Sequence, residues 1–352
     1  MEKITRQMKV NKDWESAPPP YPSGWYGILE SMCLRAGEIR NINCLGQSLV
    51  VYRGERDCVY VLDAFCSHLG GNMGVGGKVI HNGISCPYHG WLYSGEDGRC
   101  FQIPYGQSGS RIPMNACVKA YPTLEMNGFI YIWHHSNNRP PAWQPEAIDE
   151  VQLKKWTYRG RSEHYVNVHI QEFHEQGTDL YHLTQVYGPS MFAKSDLRFL
   201  SKWWLKFMFH DWHGAWSRDQ ERPHVGILKQ THKLLLFGGN YFPFMDFEAE
   251  AEQIGPGIVN MRFSSPSGSG VLVQSIVPIK NTIQRLVQHI YFDKSTPTFI
   301  AKLFLYHQSI RTERDIMIWN NKKYLNHPIL IGTQADAGIK DLRRWYSQFY
   351  DD

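Results

Sequence analysis

The sequence predicts an α+β fold, with a small antiparallel β domain followed by a larger domain of sheet and helices. Residues 25 to about 135 contain short β-branched and aromatic runs separated by glycine and asparagine turns, which is typical of antiparallel strands. The stretch SNNRPPAWQPEA then indicates a linker. The remaining residues mix strand-length runs with long stretches of helical periodicity, and this mixture predicts helices packed on an antiparallel sheet.

We place an N-terminal arm at residues 1–24, a first domain at 25–138 and a second domain at 139–352. The strands predicted in the first domain are SLVVYRG, CVYVLDAFC, GISCPYHGWLY and GFIYIWHH. Those predicted in the second are KLLLFGGNYFPF, GVLVQSIVPIK and RLVQHIYFD. Two helices are predicted there, YVNVHIQEFHEQGTDLYHLTQVYG, which ends at Gly188-Pro189, and PTFIAKLFLYHQSIRTERDIMIWNNKKY.

Composition narrows the possible functions. The chain has 352 residues, 42% of them hydrophobic, and a net charge of +4 without a basic block, so we expect a globular protein that does not bind nucleic acid. No signal peptide and no apolar run of about 18 residues is present, which predicts a soluble protein. All seven cysteines lie within the first 117 residues, a pattern that favours a reducing, cytoplasmic compartment and metal binding over disulfides.

The stretch CSHLGGNMGVGGKVIHNGISCPYH carries two cysteine–histidine pairs, Cys66-x-His68 and Cys86-x-x-His89, separated by 17 residues. Such donors suit either a Cys₂His₂ zinc site or an iron–sulfur centre with mixed ligands. A zinc finger places two cysteines before two histidines, whereas here each loop supplies one of each. Two such loops can give two thiolates to one iron and two imidazoles to the other, which favours a Rieske [2Fe–2S] cluster.

The neighbours of these pairs narrow the type of cluster domain. Gly70 and Gly90 allow backbone N–H groups to approach the cluster sulfurs. Respiratory Rieske proteins carry an additional cysteine in each loop, and here those places hold Gly71 and Tyr88. The domain is therefore similar to those of oxygenases and ferredoxins.

A second candidate site lies in EFHEQGTDLYHLTQVYG. A mononuclear Fe(II) that activates O₂ commonly binds two histidines and one carboxylate. Glu175, Asp179 and His182 have the spacing of residues on one helical face, so His182 is a candidate iron ligand.

Another histidine pair, His210-x-x-His213, lies among tryptophan and phenylalanine residues. Two histidines three residues apart can suggest a metal site. In this apolar surrounding the pattern favours a packed or partly exposed pair instead.

The chain resembles the Rieske non-haem iron oxygenases, and more narrowly their sterol-acting group. This group contains the cholesterol 7-desaturases of the Neverland type and the oxygenase component of 3-ketosteroid 9α-hydroxylase. The resemblance is carried by PPPYPSGWY, FCSHLGGNMGVGGKVIHNGISCPYHGWLYSGEDGRCFQIPY, VNVHIQEFHEQGTDLYHL and RDIMIWNNKKY, and it covers nearly the full length. It implies that the second domain is a helix-grip catalytic domain with a mononuclear iron.

The same resemblance implies the roles of individual residues. Asp179 would be the electron-transfer bridge, His182 the first iron ligand and Asp315 the carboxylate ligand. In related oxygenases the cluster of one subunit faces the iron of the next. A bridge from His89 through Asp179 to His182 across an interface therefore implies a homotrimer.

The iron motif departs from the family pattern at Tyr187, because the family has a second histidine there. Gln176 also stands where the family commonly has asparagine, and His174 where the sterol enzymes tend to have proline. Three interpretations stay open: Tyr187 ligates the metal, His174 replaces the missing ligand, or the site binds iron weakly and does not oxygenate. The sequence therefore leaves open whether iron occupies the mononuclear site.

The function implied is hydroxylation or desaturation of a bulky apolar substrate, a sterol or steroid, with O₂ and electrons from a separate ferredoxin or flavin reductase. No G-x-G-x-x-G within a βαβ unit is present that would bind a nucleotide cofactor in this chain. The alternative is a non-oxygenating electron-transfer or sterol-binding protein. Animal relatives carry an N-terminal membrane helix, so the chain is either a soluble form or one without that anchor.

Overall fold

The computed structural model describes residues 17–106, 111–187, 194–199, 208–236, 240–241, 246–331 and 334–350. The chain folds into two compact units. Gly24–Gln144 form the N-terminal unit, and the residues on either side, chiefly Pro145–Asp352, form the C-terminal unit. The first consists mainly of strands and the second of one large sheet with helices, which confirms the predicted α+β class.

The described part of the N-terminal unit contains ten short strands. They are β1 (Gly24–Glu30), β2 (Ile39–Cys44), β3 (Gln47–Arg53), β4 (Val59–Asp63), β5 (Lys78–Ile80), β6 (Gly83–Ser85), β7 (Leu92–Ser94), β8 (Cys100–Gln102), β9 (Thr123–Met126) and β10 (Phe129–His134). They pair antiparallel in three sheets of order β1–β10–β9, β2–β3–β4 and β5–β6–β7–β8. The predicted run GISCPYHGWLY is two strands, β6 and β7, because the Cys86–Trp91 turn interrupts it.

The core of the N-terminal unit reaches the two candidate cluster loops. Val50 of β3, Leu62 of β4 and Tyr93 of β7 are completely buried in one hydrophobic cluster. Cys66 and Cys86 belong to the same cluster. Their side chains therefore lie on a rigid base, which suits a site that must not rearrange.

The C-terminal unit is built on one antiparallel sheet. Its described strands are β11 (Trp156–Asn167), β12 (Met208–Arg218), β13 (Val225–Leu236), β14 (Asn240–Tyr241), β15 (Phe247–Ile254), β16 (Ile258–Ser265), β17 (Gly268–Lys280) and β18 (Ile283–Asp293). The order is β11–β18–β17–β16–β15–β13–β12, with β14 beside β13. The predicted runs GVLVQSIVPIK and RLVQHIYFD are β17 and β18, whereas KLLLFGGNYFPF lies partly outside the described residues.

The described helices are α1 (Asp149–Gln152), α2 (Gln171–Thr178), α3 (Leu180–His182), α4 (Thr298–Trp319) and α5 (Gln334–Tyr346). Single 3₁₀ turns occur at Ser31–Cys33, Leu197–Phe199 and Ser347–Phe349, and a π turn at Leu183–Tyr187. Helix α4 packs on β11 and β18, whereas α5 packs on α2 and β12. The long helix predicted from PTFIAKLFLYHQ is α4. Among these helices, none has the length and apolar content that a membrane crossing requires.

The helix predicted from Tyr165 onwards was wrong in two places. Strand β11 continues to Asn167, where Val166 and Asn167 still pair with Gln284 and Ile283 of β18. Helix α2 then ends at Asp179, whose backbone (φ −81°, ψ 89°) is not helical. Gly177 weakens the helix there, and the Asp179 side chain competes with the helical backbone. The predicted stop at Gly188-Pro189 lies outside the described residues.

A partly buried ion pair joins α2 to α5. The guanidinium of Arg343 donates to both carboxylate oxygens of Glu175, at 2.9 and 2.8 Å. The two side chains are only 18% and 11% exposed, so neither charge is well hydrated. One turn earlier, Glu172 is buried and pairs with Lys322. Burial raises the pKa of Glu172, so its charge depends on Lys322.

Arg343→Met tests this connection. The change leaves the Glu175 carboxylate buried without its partner, and we expect the free energy of unfolding to fall by about 3–5 kcal/mol. Guanidinium unfolding followed by circular dichroism measures the change. The control is Arg198→Met, because the Arg198–Asp196 pair is exposed and screened by water, so its loss should change stability little. Equal effects of the two changes would contradict the prediction, and Glu175→Gln added to Arg343→Met should recover part of the loss.

Candidate metal centres

The two loops that carry the cysteine–histidine pairs have the same backbone hydrogen bonds. In each loop the amide four residues after the cysteine, at Gly70 or Gly90, donates to the cysteine carbonyl at 2.9 or 3.0 Å. The amides of Cys66 and Cys86 donate to the carbonyl five residues on, at 2.9 and 2.8 Å. Both glycines have positive φ, +70° and +72°, which an L side chain rarely adopts. The loops are therefore two copies of one turn.

Each loop contributes one cysteine and one histidine. The two cysteines form one pair, and the two histidines form a second pair beside it. The Cys66 and Cys86 thiols lie close enough to influence each other's ionisation, and the rings of His68 and His89 lie 4.8 Å apart between centroids. Nδ1 of His68 is buried without a hydrogen-bond partner in the described chain. Nowhere among the described residues do three or more His, Cys, Asp or Glu side chains surround one point. A thiol pair beside a separate imidazole pair fits a two-iron cluster better than one zinc ion.

Polar and aromatic side chains surround these pairs. The Tyr93 hydroxyl lies 3.0 Å from Sγ of Cys66 and 2.9 Å from Oγ of Ser67. The Trp91 indole stacks on the His68 ring, with centroids 4.6 Å apart and planes 6° from parallel. A Cβ at Gly71 would lie 3.0 Å from Sγ of Cys86, so a side chain there would crowd the sulfur. Burial raises the pKa of Cys86, so metal binding has to displace a thiol proton.

Tyr93→Phe tests whether this hydroxyl tunes the cluster. A hydrogen bond to a cluster sulfur stabilises the reduced, more negative form, so its loss should lower the reduction potential. If the bond contributes about 1.4 kcal/mol, the one-electron shift is on the order of 60 mV. Redox titration followed by visible absorption measures it. Tyr52→Phe is the control, because that buried hydroxyl donates to the Asn82 carbonyl instead. An unchanged potential in Tyr93→Phe would exclude this role.

The second candidate site begins where α2 ends. Asp179 caps α3, with Oδ1 accepting a hydrogen bond from the His182 amide at 3.0 Å. Since the chain breaks at Asp179, the expectation that Glu175, Asp179 and His182 share one helical face was wrong. Glu175 faces Arg343 instead. In the π turn that follows, residues five apart approach one side, and the rings of His182 and Tyr187 lie 5.5 Å apart.

Three sequence-predicted residues and Gln176 converge here. Nε2 of His182 lies 3.1 Å from Oδ1 of Asp315, and the Tyr187 hydroxyl donates to Oδ2 of Asp315. The amide end of Gln176 lies 2.8 Å from Nε2 of His182 and is near enough to Tyr187 and Asp315 to affect their pKa values. His174 does not join this group, because its Nε2 lies 3.0 Å from the Pro256 carbonyl oxygen.

The two contacts of the His182 Nε2 atom, with Gln176 and with Asp315, are incompatible with one another. They become compatible if a metal binds there or if the Gln176 side-chain amide is rotated. One ring nitrogen cannot both accept from the Gln176 amide and donate to Asp315. Rotating the Gln176 amide by 180° places its oxygen at Nε2, and the two amide orientations are equivalent in shape. One imidazole nitrogen and oxygen atoms of Asp315, Tyr187 and Gln176 then face one another.

This donor set fits a mononuclear iron. Two adjacent ligands with bonds of about 2.1 Å at a right angle lie about 3.0 Å apart, close to the 3.1 Å between His182 and Asp315. Imidazole and carboxylate are two of the three groups of the usual triad. A third protein donor would have to be the oxygen of Tyr187 or Gln176.

Charge around the site comes from one face of α4. Burial raises the pKa of Asp315, and burial together with the Asp315 charge raises the pKa of Tyr187. The Arg311 guanidinium lies 4.4 Å from the centroid of the Trp212 ring and 5.6 Å from that of Tyr187, and burial lowers its pKa to about 10. Arg314 donates to the Val186 carbonyl at 2.8 Å.

Sequence reasoning missed the functions of Gln176, Arg311 and Arg314. The segment RTERD of α4 could have indicated these arginines, because Arg311, Arg314 and Asp315 have helical spacing and face inward. A buried helical face with three charged groups is costly unless they act together or on a ligand.

A cavity opens beside this group and encloses about 880 Å³, including the part open to solvent. Its wall includes the aromatic side chains Phe173, Tyr187, Trp212, Phe247 and Trp319. Glutamines also line it: Gln176, Gln230, Gln253, Gln274, Gln288 and Gln308. Several of them are satisfied within the protein, as in the 2.9 Å bond from Gln288 to Gln274.

Two protein-family models match the chain. Residues 24–122 match the Rieske [2Fe–2S] domain, and residues 132–350 match the 3-ketosteroid 9α-hydroxylase C-terminal domain. The chain belongs to the Rieske oxygenases that share this catalytic domain. The family resemblance drawn from the sequence is thereby confirmed.

Relatives include cholesterol 7-desaturases and a steroid monooxygenase. The desaturase of Xenopus laevis is 41% identical over 335 residues, which cover 95% of this chain and 72% of that protein. The desaturase of Drosophila melanogaster is 38% identical over 362 residues, covering 98% and 78%. The oxygenase component of the 3-ketosteroid-9-alpha-monooxygenase of Rhodococcus rhodochrous is 26% identical over 346 residues, covering 96% and 82%.

Solved structures share the fold at low sequence identity. Dicamba monooxygenase bound to dicamba superposes with a TM-score of 0.65 at 14% identity, covering 93% of this chain and 96% of that one. A mutant of NdmA from Pseudomonas putida with theobromine gives a TM-score of 0.65 at 17% identity, covering 92% and 88%. The match supports a fold common to these oxygenases.

Proposed function

We propose that this chain is the oxygenase component of a Rieske system that hydroxylates or desaturates a sterol. The observation that carries the proposal is the pair of sites in one chain: a thiol and imidazole pair, and a His182–Asp315 group at a large cavity. The relatives named as cholesterol 7-desaturases and as a 3-ketosteroid monooxygenase support a sterol or steroid as the substrate.

In this proposal Cys66, His68, Cys86 and His89 hold the [2Fe–2S] cluster, which would supply electrons one at a time. The hydroxyl of Tyr93 stabilises the Cys66 sulfur, and Trp91 fixes the plane of the His68 ring. Electrons come from a separate ferredoxin or flavin reductase. The exposed side chains of Leu69 and Tyr88 lie next to the two histidines in sequence and give such a partner an apolar contact.

His182 and Asp315 are the proposed ligands of the mononuclear iron, which would supply O₂ activation. Tyr187 stands in the place of the second histidine and holds Asp315 through its hydroxyl, or binds the metal through the same oxygen. Gln176 contacts all three groups and is the other oxygen donor. The cavity wall formed by Trp212 and Phe247 holds the apolar body of the substrate away from water.

Asp179 is proposed as the bridge that carries electrons towards His182 between neighbouring copies in a homotrimer. Its carboxylate is half-buried and contacts the His182 backbone amide at 3.0 Å, so it is fixed next to the iron ligand. Light-scattering mass of the purified protein tests the trimer.

The second candidate function is a non-oxygenating protein that transfers electrons or binds a sterol. Tyr187 favours it, because the site has only two of the usual three ligands and the Tyr187 hydroxyl occupies Asp315 with a hydrogen bond. Iron occupancy of the second site separates the two functions.

The deciding measurement is iron and acid-labile sulfide per chain in anaerobically purified protein. A filled mononuclear site gives about three irons for two sulfides, and the cluster alone gives about two for two. We expect the first ratio in the wild type and in Gln230→Leu, a cavity-wall control. We expect the second in His182→Ala, with sulfide unchanged.

Tyr187→His in the same assay restores an imidazole and should tighten iron binding. A wild type that holds two irons, with a third appearing only in Tyr187→His, would overturn the oxygenase function in favour of the second candidate. The substrate is tested by O₂ uptake and product analysis with cholesterol and a reductant. Full iron occupancy without sterol oxidation would contradict the sterol assignment alone.

A further inference from the structure

A second, polar cavity lies next to the one at His182 and Asp315. Its polar wall consists of His210, His232, Asp246, Ser265, Ser267 and His307, and we call this group the polar annex. It encloses about 490 Å³, including the part open to solvent. Phe247 and Arg311 line both cavities, so the annex adjoins the first cavity.

The His210–His232 pair forms one wall of the annex. Both side chains are buried, and Nδ1 of His210 lies 2.6 Å from Nε2 of His232. One of these nitrogens must donate and the other accept, so the pair has one shared proton. Burial and the neighbouring cations lower the pKa of His210 to about 2, so the ring carries no charge at neutral pH. These two are diagonal neighbours on β12 and β13, since His210 pairs with Leu234 and Trp212 with His232, whereas His213 is exposed.

Two other polar atoms of the annex have unused hydrogen-bonding capacity. Nε2 of His307 and Oδ1 of Asp246 are buried, and within the described parts of the chain neither has a hydrogen-bond partner. The Arg311 guanidinium lines both cavities and contacts the rings of Trp212 and Tyr187. Buried polar groups of this kind are normally satisfied by a ligand or water. The annex thus offers donors from Arg311 and His307 and an acceptor from Asp246.

A hydroxyl group matches this set because it accepts and donates at once. It can accept from Arg311 or His307 and donate its proton to Asp246. A ketone lacks the hydrogen for Asp246, and a carboxylate would place a second negative charge beside it. We propose that the polar annex binds the ring hydroxyl of a sterol, an inference that rests on the proposed function and adds the orientation of the substrate.

Helix α4 sets the distance between this hydroxyl and the metal ligands. His307, Arg311 and Asp315 follow one another at intervals of four residues, so they lie on neighbouring turns of one face. The axial rise is about 6 Å from Asp315 to Arg311 and about 12 Å to His307. A hydroxyl held at Arg311 or His307 thus limits how far the ring system reaches along α4 towards Asp315. The annex thereby selects which ring carbon is oxidised.

The test compares cholesterol with its 3-deoxy and 3-keto analogues on the iron-loaded protein. Equilibrium binding of radiolabelled sterol delivered from cyclodextrin gives each Kd. We expect the wild type to bind cholesterol about tenfold more tightly than either analogue, since one hydrogen bond of about 1.4 kcal/mol gives that ratio. His307→Leu should remove most of the preference over the 3-deoxy sterol. His213→Leu, an exposed histidine on β12, should leave it unchanged.

Asp246→Asn is the sharper variant because it replaces an acceptor with a group that can donate. It should improve binding of the 3-keto sterol and weaken that of cholesterol, a change that a folding defect cannot produce. Equal Kd values for cholesterol and the 3-deoxy sterol in the wild type would overturn the proposal that the annex binds the hydroxyl. The same holds if both variants keep the wild-type preference for cholesterol. If that occurs while cholesterol is still oxidised, the proposed function stands. No binding of any sterol to the wild type would overturn both.

Discussion

The buried carboxylate of Asp315 constrains the centre of the C-terminal unit, since a charge removed from water needs hydrogen bonds or opposite charge. Its oxygens face His182 and Tyr187, which come from 133 and 128 residues earlier in the chain. The charges of Arg311 and Arg314, on the same helix, offset part of the cost. In a network so connected, loss of any one member leaves the others with unpaired polar groups.

The need to pair the Asp315 carboxylate also explains how the surrounding helices are arranged. The π turn Leu183–Tyr187 directs His182 and Tyr187 towards Asp315, and Arg314 fixes its end through the Val186 carbonyl. Upstream, α2 bears Gln176 and is held to α5 by the bonds from Arg343 to Glu175. Helices α4 and α5 thus position the polar group from both sides. The sheet supplies the cavity wall and contributes little to the polar group itself.

The sequence predicted a site more completely when the residues of that site lie close together in the chain. The proposed cluster ligands fall within 24 residues in two loops of one pattern, so spacing alone indicated them. The proposed iron ligands come from α3 and α4, and only the family resemblance brought Asp315 to His182. The break at Asp179 was not predictable from periodicity, since a side-chain cap overrides helical spacing there. The His210–His232 contact depends on strand register, which the sequence did not define.

Tyr187 changes the chemistry of the iron site in a way that its contacts define. A neutral imidazole at this position would offer a lone pair without first losing a proton. The Tyr187 hydroxyl instead donates to Asp315, and burial raises its pKa. A metal that used this oxygen would displace the proton, so its binding would strengthen as pH rises. If Tyr187 only holds Asp315, iron binding lacks that proton release, and the pH dependence of iron affinity separates the two roles.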